Sequence, residues 1–133
     1  MKTILTPEES RRLIDLGVDT KLASKRTLGV QIPTGIPNVY HKKEGGDPIF
    51  TLADLLSILP KEIEDSNLEI ISTQVDIKQH KKVSGWIVTY VNSYNDLAFG
   101  DDSIFQSPEL IDALYQLLIW AIENGYVKPN KDN

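Results

Sequence analysis

The chain of 133 residues is 41% hydrophobic and 25% charged, the balance of an ordinary globular domain long enough to bury a sizeable core. With no cysteine, it excludes a disulfide framework, a thiolate nucleophile and cysteine-ligated metal. Its net charge of −5 divides into +3 over residues 1–46 (eight Lys/Arg against five Asp/Glu) and −8 over residues 47–133 (six against fourteen), which disfavours broad nucleic-acid binding and leaves only the first third for a basic patch.

The opening "MKTILTPEESRR" holds too few apolar residues for a signal peptide. No apolar run approaches the roughly 18–20 residues of a membrane span, so a cytoplasmic protein without membrane contact is expected. Thr6, Pro7 and Glu9 have the positions of an N-cap, a first helical residue and a capping box, and Gly17 stops the helix they begin. Leu13, Ile14 and Leu16 give it an apolar face, and "TKLAS" after Asp19 predicts a further short turn. Residues 25–47, rich in glycine and proline, read as a loose hairpin with strands near 28–32 and 38–43 around "TGIP", or as a mobile loop. Thr51 and Asp54 then cap a second helix, with Phe50 and Leu55 spaced as a hydrophobic staple and Pro60 as its stop.

"LEIISTQVDI" predicts a strand whose alternation changes phase at Ile70–Ile71, which suggests a bulge or a change of face. "VSGWIVTYV" is apolar on both faces, as a central strand covered on both sides would be. "KQHKK" is the hairpin tip between them, and "NSYNDLAFGDDSIFQ" is a loop or irregular strand. Ser107 and Pro108 predict the start of the last helix and Asn124–Gly125 its end, with Tyr126 folding back on Trp120 or Ala121. Residues 127–133 form a polar, frayed tail. The sum is a single α+β domain over 1–133: a small, mainly antiparallel sheet of three or four strands packed with about three helices.

Chemistry-bearing motifs are missing. There is no phosphate loop, dinucleotide fingerprint, H-E-x-x-H or G-x-S-x-G. His41 and His80 each precede two lysines and read as solvated. Asp96, Asp101 and Asp102 lack the spacing of a calcium loop. Trp86, Tyr90, Phe99, Phe105, Tyr115, Trp120 and Tyr126 read as core rather than as a ligand pocket. No catalytic residue, cofactor or metal is expected, and a small enzyme is the last of three readings.

The first reading is a non-catalytic interaction or assembly module that self-associates or binds a protein partner. It rests on the last helix, where Asp112, Gln116 and Glu123 make one narrow polar stripe interrupted by Ile119. The wide apolar remainder makes Tyr115, Ile119 and Trp120 the candidate interface, unless the helices near 7–16 and 52–59 cover it within one chain. The second reading is a nucleic-acid or anion-binding module using Arg26, His41, Lys42 and Lys43, with Lys78, Lys81 and Lys82 as further contacts.

The blocks "LTPEESRRLIDLGVDTKLAS", "FTLADLLSILPKEI" and "ELIDALYQLLIWAIENGYVK", with "W-I-V-T-Y" between the last two, together resemble a group of small phage and mobile-element proteins of anaerobic gut bacteria. The likeness covers most of the chain outside residues 25–47 and the C-terminal tail. It implies a bacterial, intracellular accessory protein and brings no catalytic residue with it.

Overall fold

Local capping signals settle where the first two helices begin. A computed structural model describes residues 2–31, 37–41, 46–64, 66–77, 81–92 and 103–127, with backbone alone at 28–31, 37–41, 73–77 and 81–84. Helix α1 spans Pro7–Asp15, and Thr6 and Glu9 form the reciprocal capping box, each side chain accepting the other's N–H. Gly17, at φ 107°, donates to the Ile14 carbonyl, and Val18 donates to Leu13. These two bonds complete a Schellman stop, closed by the buried pair Leu13 and Val18. Asp19 caps the predicted turn, a 3₁₀ helix at Thr20–Leu22. Helix α2 spans Leu52–Ile58 and repeats the capping box with Thr51 and Asp54. Phe50 and Leu55 are both fully buried, as a staple requires. Leu59 turns to extended backbone, as a residue before proline must.

The strands fall into two antiparallel sheets. Strands β1 (Lys25–Gln31), β2 (Pro37–His41) and β3 (Pro48–Ile49) make a three-stranded sheet in the order β2-β1-β3. The predicted hairpin is therefore present, begins three residues earlier than expected, and gains a third strand; its turn at 32–36 lies outside the described residues. A register irregularity sits between Thr27 and Gln31. Beside it, Asp47 N–H donates to Thr27 Oγ1 and Thr27 N–H to the Asp47 carbonyl, each at 2.9 Å. Gly46 allows that approach: its φ is 73°, and a Cβ there would overlap the Thr27 carbonyl oxygen.

Strands β4 (Glu62–Ile63), β5 (Ser66–Ile77), β6 (Lys81–Val91) and β7 (Phe105–Ser107) follow one another across the second sheet. The β5–β6 ladder is continuous from Asn67↔Val91 to Ile77↔Lys81. Of the two causes expected for the phase break at Ile70–Ile71, a bulge or a change of face, the bulge is thus not there. Val88, Thr89 and Tyr90 are consecutive and all buried, so β6 is covered on both faces at that point, as expected. The hairpin tip predicted at 78–82 is shorter, because Lys81 and Lys82 belong to β6, paired with Ile77 and Asp76; residues 78–80, with His80, lie outside the described residues, as do Phe99, Asp96, Asp101, Asp102 and the tail beyond Val127.

Helix α3 (Leu110–Glu123) lies on β6 and β7 and against α2. Its start corrects the sequence expectation. Ser107 belongs to β7, paired with Trp86, and Glu109 takes the N-cap position without a side-chain cap. Ser107 Oγ still accepts the Glu109 N–H at 3.2 Å, so it satisfies a donor just outside the helix. The C-terminus is as expected. Gly125 (φ 81°) donates to Ile122 and Tyr126 to Ala121 at 2.8 Å, and the Tyr126 and Trp120 rings stack at 5.4 Å. One buried cluster joins Leu5 and Leu13 to Phe50, Leu55, Val88, Tyr90 and the inner face of α3.

Candidate interaction surface

Most of the oily circumference of α3 is covered by its own chain. Leu110, Ile111, Ala113, Leu114, Leu117, Leu118 and Ala121 are buried. The three residues singled out on this helix are half-buried and pack on the edge of the core. Trp120 is held between Tyr126 and Tyr90, whose ring lies 6.3 Å away. Burial raises the Tyr115 hydroxyl pKa, with Arg12 and Lys2 lowering it and Glu9 raising it through their charges. Ile119, the apolar break in the polar stripe, also leans on the core. None of the three is strongly exposed, and what they leave to solvent is a rim.

The polar clusters among the described residues are built into the fold. Lys2 Nζ reaches Asp112 at 2.7 Å and Glu9 at 3.1 Å, while its backbone N–H donates to Glu109 at 2.6 Å. Burial opposes the Lys2 charge, but hydrogen bonds to both carboxylates outweigh it and leave its pKa above the ordinary lysine value. The cluster ties the N-terminal segment to α1 and to the start of α3. Asp54 Oδ2 accepts from Ser24 N–H, Ser24 Oγ and Thr51 N–H, each at 2.9 Å, which fastens the 3₁₀ turn to α2. Tyr90 Oη donates to the Pro60 carbonyl at 2.7 Å, and burial pushes its pKa up.

The β1–β2 register sets Lys25 opposite His41 and Arg26 opposite Tyr40. Arg26 and His41 therefore lie on neighbouring strands. Arg26 donates to the Gly46 carbonyl at 3.0 Å across an exposed stretch. Lys42, Lys43 and Lys78 lie outside the described residues, and Lys81 and Lys82 are placed only as positions at the start of β6.

The sequence pointed elsewhere for the apolar residues that do reach solvent. Among the described residues the large exposed ones are Leu22, Leu56, Ile70 and Ile71, the last two at 36% and 47%. Ile70 pairs with Val88 and Ile71 with Ile87, so each lies on a different face of β5. Among the described residues their strand has an open side. Leu68 N–H donates to the Lys61 carbonyl at 2.9 Å, so the backbone groups of Leu68 point away from β6. Alternation points those of Ile70, Ser72, Gln74 and Asp76 the same way. Strand β4 ends its pairing with β5 there, and no other described strand takes up that edge. The phase break at Ile70–Ile71 was the signal. It marks a strand with an exposed isoleucine on each face and no bulge.

Comparison with protein-family models, with curated proteins and with solved structures finds no match to this chain. Among the described residues, no group of three or more His, Asp or Glu side chains is placed to hold a metal ion, and no helix is long and apolar enough to cross a membrane.

Proposed function

We propose that the chain is a non-catalytic interaction or assembly module that self-associates, of the kind that small phage and mobile-element proteins supply. The observation that carries this reading is the pair Ile70 and Ile71, exposed on both faces of a strand whose outer edge is open among the described residues beyond Leu68. Single exposed apolar residues are ordinary. Two neighbours on an open strand edge are a different matter, because such an edge is a template for pairing with another chain. The polar clusters support the reading as well, since the Lys2 and Asp54 groups are engaged in holding elements together. Light scattering over about a hundredfold range of concentration tests it. The weight-average mass is expected to rise from that of one chain toward that of two, and a strict monomer at the highest concentration rejects self-association.

A second reading has one observation of its own. The β1–β2 register sets Lys25 opposite His41, with Arg26 the next position along β1 and so on the other face of the sheet. An anionic partner, nucleic acid included, would bind there through charge. Binding to a short polyanion should then fall steeply with salt and weaken further when His41, Lys42 and Lys43 are neutralised together. Salt-independent binding, or none, counts against it.

A further inference from the structure

We infer that a second copy of this chain pairs with the open edge of β5, the two β5 strands running antiparallel about a two-fold axis at Thr73. The inference rests on the self-association proposed above and supplies its surface and register. Among the described residues the free edge begins past Leu68, whose outward amide is already bound to Lys61, and ends with the strand at Ile77. The outward-pointing backbone groups on that length belong to Ile70, Ser72, Gln74 and Asp76. A two-fold pair that uses all of them sets Ile70 opposite Asp76, and Ser72 opposite Gln74, of the second copy. The axis then passes Thr73, and the seam gains roughly eight interstrand hydrogen bonds.

The residue types agree with that seam. From Leu68 to Ile77 there is no proline, glycine, lysine or arginine, and the ladder to β6 carries no bulge. The charges this edge does carry are Glu69 and Asp76; proline, lysine and bulges are among the devices by which an edge strand resists pairing. The opposite edge of the sheet has them: β6 opens with Lys81 and Lys82 and contains Gly85, and β7 covers Trp86–Val88. Among the described residues one edge is open and the other guarded, so association closes at two chains instead of growing into a filament.

Charge is compatible too. Antiparallel pairing sets outward-pointing residues against outward-pointing ones, so facing residue numbers must sum to an even number. Glu69 and Asp76, the acidic residues of β5, therefore never face each other. In this register Glu69 meets Ile77 and Asp76 meets Ile70 of the second copy. The two Glu69 positions lie about 26 Å apart along the seam, beyond the roughly 8–10 Å over which salt leaves charges in contact. Ile71 meets Val75, and Thr73 meets its own symmetry mate. This is a run of β-branched residues, which pair well across antiparallel strands.

Sedimentation velocity on the full chain tests the seam with two variants, and an introduced cysteine tests the register. Ile71→Lys is expected to raise the dimer dissociation constant about 100-fold, with an unchanged far-ultraviolet spectrum. Ser72→Pro removes an outward donor and leaves the β6 ladder whole, and it should weaken the dimer similarly. If the proline variant does not fold, Ile71→Lys and the cysteine variants still decide. Residue 73 faces its mate in a non-hydrogen-bonded pair, with Cα atoms about 4.5 Å apart, a distance a disulfide spans. The chain has no cysteine of its own, so Thr73→Cys should cross-link two chains under copper–phenanthroline oxidation far faster than Ile71→Cys or Val75→Cys. A dimer unmoved by Ile71→Lys, or cross-linking no faster at 73 than at 71 or 75, overturns this seam while self-association stands. A monomer throughout overturns both.

Discussion

Phe50→Ala is expected to lower the free energy of unfolding by about 3–5 kcal/mol, a fall in melting temperature of roughly 10–20 °C. The ring has no solvent exposure and stands where three segments meet. Its own residue follows β3, against which α1 packs. Its carbonyl accepts the Leu5 N–H at 3.0 Å, and its N–H donates to the buried Ser10 Oγ of α1 at 3.1 Å. Those backbone bonds survive truncation to alanine, so the loss is one of packing. The ring also forms one half of the staple with Leu55, which sets the angle at which the chain enters α2. Deleting it leaves a cavity that no single neighbour can fill. Phe50→Leu should retain most of the volume and cost about 1–1.5 kcal/mol. Urea and thermal unfolding followed by circular dichroism measure both. A Phe50→Ala loss below about 1 kcal/mol would mean that α1 and α2 close over the gap, and that the ring does not set their spacing.

The parts of the fold that were legible in the sequence are those whose cause lies within one helical turn. Thr6 with Glu9 and Thr51 with Asp54 close their boxes over three residues. Gly17 and Gly125 each stop a helix through carbonyls a few residues back. Such signals need no knowledge of distant chain. Ser107 shows where that logic ends. It has the chemistry of an N-cap and precedes a proline, but pairing with Trp86 draws it into β7 and the helix starts beyond Glu109. The competing partner is about twenty residues away in sequence. The short strands β3 and β4 were missed for the same reason, because two residues carry no periodicity and their partners alone define them.

The candidate site divides along the same line. The apolar arc of α3 was correctly read as wide, but whether it stays bare depends on β6, β7 and α2, which together cover most of it. Tyr115, Ile119 and Trp120 were left half-buried by that packing. Ile70 and Ile71 were noticed through the break they make in the alternation. Alternation reports which residues are apolar, and does not report which faces another layer covers. The edge they share is defined by Leu68 bonding to Lys61 with no described strand continuing past it. Strand-edge exposure is a property of sheet order, and sheet order is non-local.

Asp54→Ala should cost about 2–4 kcal/mol, more than an ordinary helix cap. In most caps one side-chain oxygen serves the first turn of its own helix. Here Oδ2 serves Thr51 N–H and also both donors of Ser24, thirty residues earlier in the chain. Truncation removes the Asp54 half of the box and strands the Ser24 amide in a partly buried place, so a desolvation cost adds to the lost cap. Thr51 Oγ1 would still accept the residue 54 N–H, now held at 3.1 Å, so the helix should shorten or fray without vanishing. Asp54→Asn keeps an acceptor oxygen and should recover about half the loss. Two comparisons separate the roles. Ser24→Ala removes the Oγ bond to Asp54, together with the longer Oγ contact to Thr51 Oγ1 at 3.4 Å, and leaves the amide bond, so it should cost about 1 kcal/mol. In the double variant Ser24→Ala with Asp54→Ala, the two losses should fall short of their sum by about 0.5–1 kcal/mol, because they share a hydrogen bond. Strict additivity would show that Asp54 acts on α2 alone and that the 3₁₀ turn holds its place without it. Amide exchange at Ser24 and Thr51 provides the local reading: both should speed up in Asp54→Ala, while the Schellman amides of Gly125 and Tyr126 at the far end of α3 should change only as much as global stability does.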